Sequence, residues 1–202
     1  MSTMASLQDA VVAMGAGTSS IPVFDEKTKA LIGVFGERQL ISFLARSMSG
    51  LGWGLRVTPI AALCNLRRPV VTVKETEPLR AVILALAPQP FSAVPIVSEE
   101  GGKIVGSFSC SDLRHLVDAS VETLDMPVLR WMESLTADDV SQIIQCRMPI
   151  TASSHDSFET VIYKMAATGI RRVWVVDLCD RLLGVVSLSD ILKYLMNPIN
   201  DP

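Results

Sequence analysis

Two strings in this 202-residue chain place a serine three residues ahead of an acid, Ser109-Cys110-Ser111-Asp112 and Ser187-Leu188-Ser189-Asp190. A carboxylate has two acceptor oxygens, and two neighbouring hydroxyls of a sugar could donate to them in charge-assisted hydrogen bonds. Ser109, Ser187 and Ser189 add hydroxyls within reach of sugar or phosphate. Arg171-Arg172 supplies two guanidinium forks suited to phosphate. An apolar run follows each acid, so each stands at the start of a predicted helix, whose free N–H groups and dipole favour an anion. The same Ser-x-x-acid spacing is also the signature of a capping box, in which serine and acid satisfy each other's backbone N–H. The local sequence leaves both readings open.

The elements that must position these residues recur along the chain. Ser19–Leu44, Phe91–Leu116 and Arg171–Leu195 each read as an apolar strand, a polar turn, a second apolar strand with a glycine, and an amphipathic helix. Pro22 to Pro95 and Gly33 to Gly106 share one offset of 73 residues. Gly106 to Gly184 and Asp112 to Asp190 share another, of 78. A helical stripe precedes each strand pair: Leu7, Ala10, Val11 and Met14; Leu79, Val82, Ile83 and Leu86; Phe158, Val161, Ile162 and Met165. Short strands at Pro69–Val73 and Met148–Ala152 are predicted ahead of the second and third helices. Val71, Thr72, Ile150 and Thr151 lie in them. The first repeat has no room for such a strand. The predicted boundaries are 1–50 for a clipped repeat, 57–118 for the second, 119–144 for a helical connection, and 145–197 for the third. Val128, Leu129, Met132 and Leu135 have helical spacing in that connection, and Ser47–Gly54 reads as a linker.

Composition narrows the function classes. With 49% hydrophobic and 19% charged residues the chain supports a sizeable core. A formal net charge of −3, without a long basic run, argues against nucleic acid as a partner. The apolar runs are far shorter than the ~20 residues of a membrane span, so no membrane association is expected. Cys64, Cys110, Cys146 and Cys179 have neither metal-ligand nor disulfide-framework spacing, which points to reduced thiols in a cytosolic-type compartment. His115 and His155 read as ordinary structural or surface residues. No metalloprotease, serine-hydrolase or P-loop string occurs, so the chain is not read as an enzyme. Gly15–Ser20 follows a helix and reads as its stop.

The repeated pattern resembles the cystathionine-β-synthase (CBS) domain. The marks are Gly106-Ser107-Phe108-Ser109-Cys110-Ser111-Asp112 and Gly184-Val185-Val186-Ser187-Leu188-Ser189-Asp190. The C-terminal stretch is similar to the last repeat of the gamma subunit of the AMP-activated, or sucrose-non-fermenting, protein kinase. Arg171-Arg172 stands where that family places a His-Arg pair, and Ser92-Ala93 matches its Ser-Ala. The resemblance covers nearly the whole chain and maps it onto repeats two to four of a four-repeat subunit. It implies an α+β fold of tandem strand–helix–strand–strand–helix repeats that pair into a Bateman module. It also implies a regulatory, non-catalytic subunit without a prosthetic group, located in cytoplasm and nucleus. Its regulatory ligand would be an adenine nucleotide, AMP, ADP or ATP. The implied partners are protein kinase catalytic and scaffold subunits. On the same ground Val71, Thr72, Ile150 and Thr151 would offer backbone groups to adenine, beside Ser92 and Ala93.

The first repeat departs from this pattern. Gly36 and Gln39 replace the serine and the acid, and an amide cannot act as a charged double acceptor, so no ribose site is expected there. Ser19-Ser20 replaces the family's His-Arg pair, which would weaken phosphate binding, with Arg38 compensating in part. A repeat lacking its first strand should expose apolar surface and favour a homodimer or another subunit. The competing reading is a scaffolding CBS protein that has lost its ligand.

Overall fold

The computed structural model describes residues 2, 5–63, 66, 69–89, 91–117, 120–135 and 149–196. Cys64, Cys146, Met148 and the 136–144 part of the predicted connection lie outside them. The first repeat consists of α1 (Leu7–Gly15), β1 (Ser20–Phe24), β2 (Leu31–Gly36) and α2 (Glu37–Arg46). A short α3 (Trp53–Val57) follows. The second repeat has β3 (Val73–Lys74), α4 (Leu79–Leu86), β4 (Ala93–Val97) and β5 (Ile104–Ser109). Among the described residues of the connection come α5 (Val121–Asp125) and α6 (Val128–Ser134). The third repeat is β6 (Thr151–Ser153), α7 (Phe158–Thr168), β7 (Arg172–Val176), β8 (Leu182–Ser187) and α8 (Leu188–Met196).

The helices form where the apolar stripes predict them. Ser6 opens α1 with a capping box to Asp9, and Ser157 caps α7 by accepting from Thr160 N. The helix α7 buries Phe158, Val161, Ile162 and Met165, the whole predicted stripe. It ends at Gly169, whose φ of 70° is a left-handed conformation that glycine adopts at no steric cost. In α4, Leu79, Val82 and Leu86 are buried. In α6 the buried face is Val128, Trp131 and Met132. Leu129, part of the predicted stripe, is half-buried beside that face.

Each complete repeat makes a three-stranded sheet, in the orders β3-β4-β5 and β6-β7-β8. The opening strands are parallel to the central ones, with Val73 opposite Ile96 and Thr151 opposite Trp174. Both begin later than expected. The ladder of β3 starts at Val73, one residue past the level of Pro95, which has no N–H to give. Among the described residues the first repeat has the β1-β2 pair, and Ser2 makes a single parallel bridge to Phe24. Leu31, Ile32 and Val34 of β2 are between 57% and 60% exposed. The segment after β5 also differs from expectation. Cys110–Leu116 winds as a 3₁₀ helix, whereas the matching α8 is α-helical. Ser111 and Asp112 recur in α8 as Ser189 and Asp190, but Cys110 and His115 are weaker helix formers than Leu188 and Lys193, which hold their places there.

The chain divides into two compact units. One comprises Met1–Asn65, Ser154–Val173 and Val186–Pro202, and so joins the first repeat to the helices of the third. Within it α1 packs on α8 and α2 on α7, and Leu40, Met48, Phe158, Ile162, Met165 and Ile191 are fully buried. The other comprises Leu66–Ser153 and Trp174–Val185. Its core is built from Val73, Leu79, Val82, Val94, Ile96, Phe108 and Met132, with the Phe108 and Trp131 rings 5.4 Å apart.

Candidate functional site

Each repeat uses the third residue of the segment after its second strand in the same way. Asp112 accepts from Ser109 N at 2.6 Å and from Ser109 Oγ at 2.7 Å, both on Oδ2. Asp190 accepts from Ser187 N at 2.8 Å and Ser187 Oγ at 2.5 Å, again on Oδ2. Gln39 accepts from Gly36 N at 3.1 Å through Oε1. The half of the box in which the third residue accepts the backbone N–H is therefore realised in all three, and the serine's return bond in the third, where Asp190 N donates to Ser187 Oγ at 3.4 Å. It occupies both lone pairs of Oδ2 in the two acids, so a sugar held there would have to use Oδ1. Asp112 is 6% exposed, whereas Asp190 is half-buried. Ser189 is exposed and Ser187 half-buried.

The predicted residues divide between the compact units. Val71, Thr72, Ser92, Ala93, Ser109, Asp112, Ile150 and Thr151 fall in the second. Ser92 O accepts from Cys110 N at 2.8 Å, and Ala93 lies opposite Ser109, so these four residues meet at one end of the β4-β5 pair. Val71 and Thr72 precede β3, exposed. Neither has a backbone hydrogen bond among the described residues. Ile150 O is taken by Trp174 N at 3.0 Å. Arg171, Arg172, Ser187, Ser189 and Asp190 fall in the first unit.

That first unit contains an open cavity of about 410 Å³. Ser19, Glu37, Arg38, Gln39, Ile41 and Ser42 line it from the first repeat, and Met165, Ala166, Gly169, Ile170, Arg171 and Leu188 from the third. Of the residues predicted for a ligand, Arg171 lines it; Arg172, Ser187, Ser189 and Asp190 do not. Its charged groups are two guanidiniums and one carboxylate. Glu37 Oε2 stands 3.2 Å from Arg171 Nη1. Because Gly36 N–H fixes Oε1 of Gln39, the amide's two N–H donors remain for other partners. With the serine hydroxyls and the start of α2, the lining offers several hydrogen-bond donors and two guanidiniums beside one carboxylate. Sequence reasoning identified Arg38 and Gln39 as the odd residues of the first repeat but missed Glu37. No motif contains it, and its role depends on the packing of α2 against α7, which local patterns do not encode.

Among the described residues no group of His, Cys, Asp and Glu is placed to hold a metal ion. No described helix is long and apolar enough to cross a membrane. Cys110 and Cys179 are exposed free thiols.

Comparison with known proteins gives a consistent result. The sequence profile of the CBS domain matches residues 61–119 and 140–197. The 5'-AMP-activated protein kinase subunit gamma of Dictyostelium discoideum is 29% identical over 89% of this chain and 31% of its own length. The human subunit gamma-3 is 32% identical over 77% of this chain and 28% of its own. The chain thus spans about a third of the length of these curated relatives. Among solved structures, protein MJ1225 of Methanocaldococcus jannaschii superposes with a TM-score of 0.71 at 21% identity, covering 96% of this chain and 66% of that one. A CBS domain protein of Pyrobaculum aerophilum, solved in complex with AMP, has a TM-score of 0.53 at 23% identity over 68% of this chain and 97% of its own.

Proposed function

The chain belongs to the CBS-domain family, and from that premise we propose that it is a non-catalytic regulatory subunit that binds an adenine nucleotide and modulates a partner protein kinase. The observation that carries this reading is the cavity of the first compact unit, where Arg38, Arg171 and the Gln39 amide converge as phosphate partners. Arg172, Ser187, Ser189 and Asp190 do not line that cavity; Asp190 is offered for a ribose on the family resemblance, through Oδ1, the oxygen that the cap leaves open. Within the second compact unit, taken by itself, Val71, Thr72, Ile150 and Thr151 are offered for adenine, beside Ser92, Ala93, Ser109 and Asp112, on the family resemblance alone. The relatives named as kinase gamma subunits support kinase catalytic and scaffold subunits as partners, in cytoplasm and nucleus. AMP, ADP and ATP compete for the site, and each biases the kinase only by its difference in affinity for two states of the subunit.

Calorimetry tests this. AMP or ATP should bind the wild-type chain with a dissociation constant on the order of tens of micromolar or tighter. Asp190→Asn keeps an acceptor for the cap but loses the charge, and should weaken binding about tenfold with little change in stability. If no adenine nucleotide binds, the sensor reading is wrong. A specific observation favours the second reading, a scaffolding subunit. Both acids are already engaged by their own serines, and Leu31, Ile32 and Val34 present an apolar strand to a second copy or another subunit.

A further inference from the structure

Glu37 is the single acid among the residues that line the cavity. It opens α2 directly after Gly36, half-buried, and its side chain is 24% exposed. Arg171, its partner at 3.2 Å, is 64% exposed. The carboxylate is therefore the held member of this pair, and the guanidinium is the arm with room to turn. Arg171 can aim its fork at Glu37 or at a bound phosphate, and the two acceptors compete for it.

We propose that Glu37 is the residue that limits how many phosphates this cavity accepts, so that the site favours a nucleoside monophosphate over the triphosphate. This inference rests on the nucleotide reading given above. A phosphate that enters must draw Arg171 away from Glu37. The carboxylate then stands beside the ligand without its counter-charge. The repulsion rises with every negative charge the ligand adds, and with Glu37 present the two guanidiniums leave a triphosphate further from neutrality than a monophosphate. Gln39 offers neutral donors and the serines offer hydroxyls, which reward any phosphate oxygen alike. Discrimination by charge therefore comes from the one fixed negative group.

The test is Glu37→Gln, which keeps shape and removes charge, with AMP, ATP, inorganic phosphate and tripolyphosphate titrated into both proteins by calorimetry. ATP should tighten more than AMP, moving the ratio of their dissociation constants by about tenfold, and tripolyphosphate should gain on phosphate in the same sense. Glu37→Ala must move the ratios in the same direction. Equal tightening of all ligands, or no change, overturns the role given to Glu37. If neither nucleotide binds either protein but tripolyphosphate shows the shift, the charge filter stands and the adenine nucleotide reading falls.

Discussion

The helix starts of the first and third repeats solve one structural problem with different chemistry. In both, the third residue reaches back to the N–H of the residue before the helix: Gln39 to Gly36 at 3.1 Å, Asp190 to Ser187 at 2.8 Å. An amide oxygen and a carboxylate oxygen serve this purpose equally in geometry. What differs is the remainder of the side chain. Gln39 keeps two N–H donors, and beside it the structure assembles Arg38, Arg171 and a cavity. Asp190 keeps one acceptor oxygen outside that lining. The cap is thus the constraint common to all repeats, and the atoms that the cap does not use are what each repeat leaves available for a ligand. A motif shared by repeats can then signal folding in each of them while marking a site in only some.

Cap deletions test whether this common role is real, and they should fall in order of burial and charge. Asp112→Ala should cost most, about 2–3 kcal/mol, since it leaves the backbone N–H and hydroxyl of Ser109 without their charged acceptor at a position 6% exposed. Asp190→Ala, at a half-buried position, should cost about 1 kcal/mol. Gln39→Ala breaks one neutral hydrogen bond at an exposed residue and should cost about 0.5 kcal/mol. Urea unfolding midpoints read all three. An Asp190→Ala midpoint equal to wild type would mean that the carboxylate is kept for a ligand alone.

Most of the fold was legible because it rests on periodicity. The stripes of α1, α4 and α7 and the paired offsets of proline, glycine and aspartate identify the repeats without any tertiary information. What stayed hidden were properties set by partners. The late start of β3 depends on the register against Pro95, and the single bridge of Ser2 on the presence of Phe24 alongside. The 3₁₀ winding of Cys110–Leu116 was open to a closer reading of composition. The capping alternative for Asp112 and Asp190 was visible in the sequence, and the structure realises it. Glu37 was not visible at all, because its meaning arises from Arg171, 134 residues away.

The same contrast between repeats extends to the turns that join their paired strands, and here pH can separate them. In the first hairpin Asp25 accepts from Thr28 N at 2.7 Å and Thr28 Oγ1 at 2.8 Å. In the third, Asp177 accepts from Arg181 N at 2.9 Å and Cys179 N at 2.8 Å. The second hairpin has Ser98 in this place, whose hydroxyl accepts from Lys103 N at 3.1 Å. The backbone and side-chain hydrogen bonds of Thr28 hold Asp25 below the ordinary carboxylate value of 3.8, and the backbone hydrogen bonds of Arg181 and Cys179 do the same for Asp177. For a carboxyl group whose folded value is depressed, the stabilisation is complete above the unfolded value and is lost as pH falls through the folded one. Acidification from 3.8 downward should therefore loosen the first and third turns and spare the second, whose hydroxyl has no charge to lose. Amide chemical shifts report this turn by turn. Those of Thr28 and Arg181 should titrate with midpoints below 3.8, while the hydrogen bond from Lys103 to Ser98 persists through the same range. Midpoints at or above 3.8 would show that these aspartates do not hold their turns, and the likeness of the first and third hairpins would then be one of sequence alone.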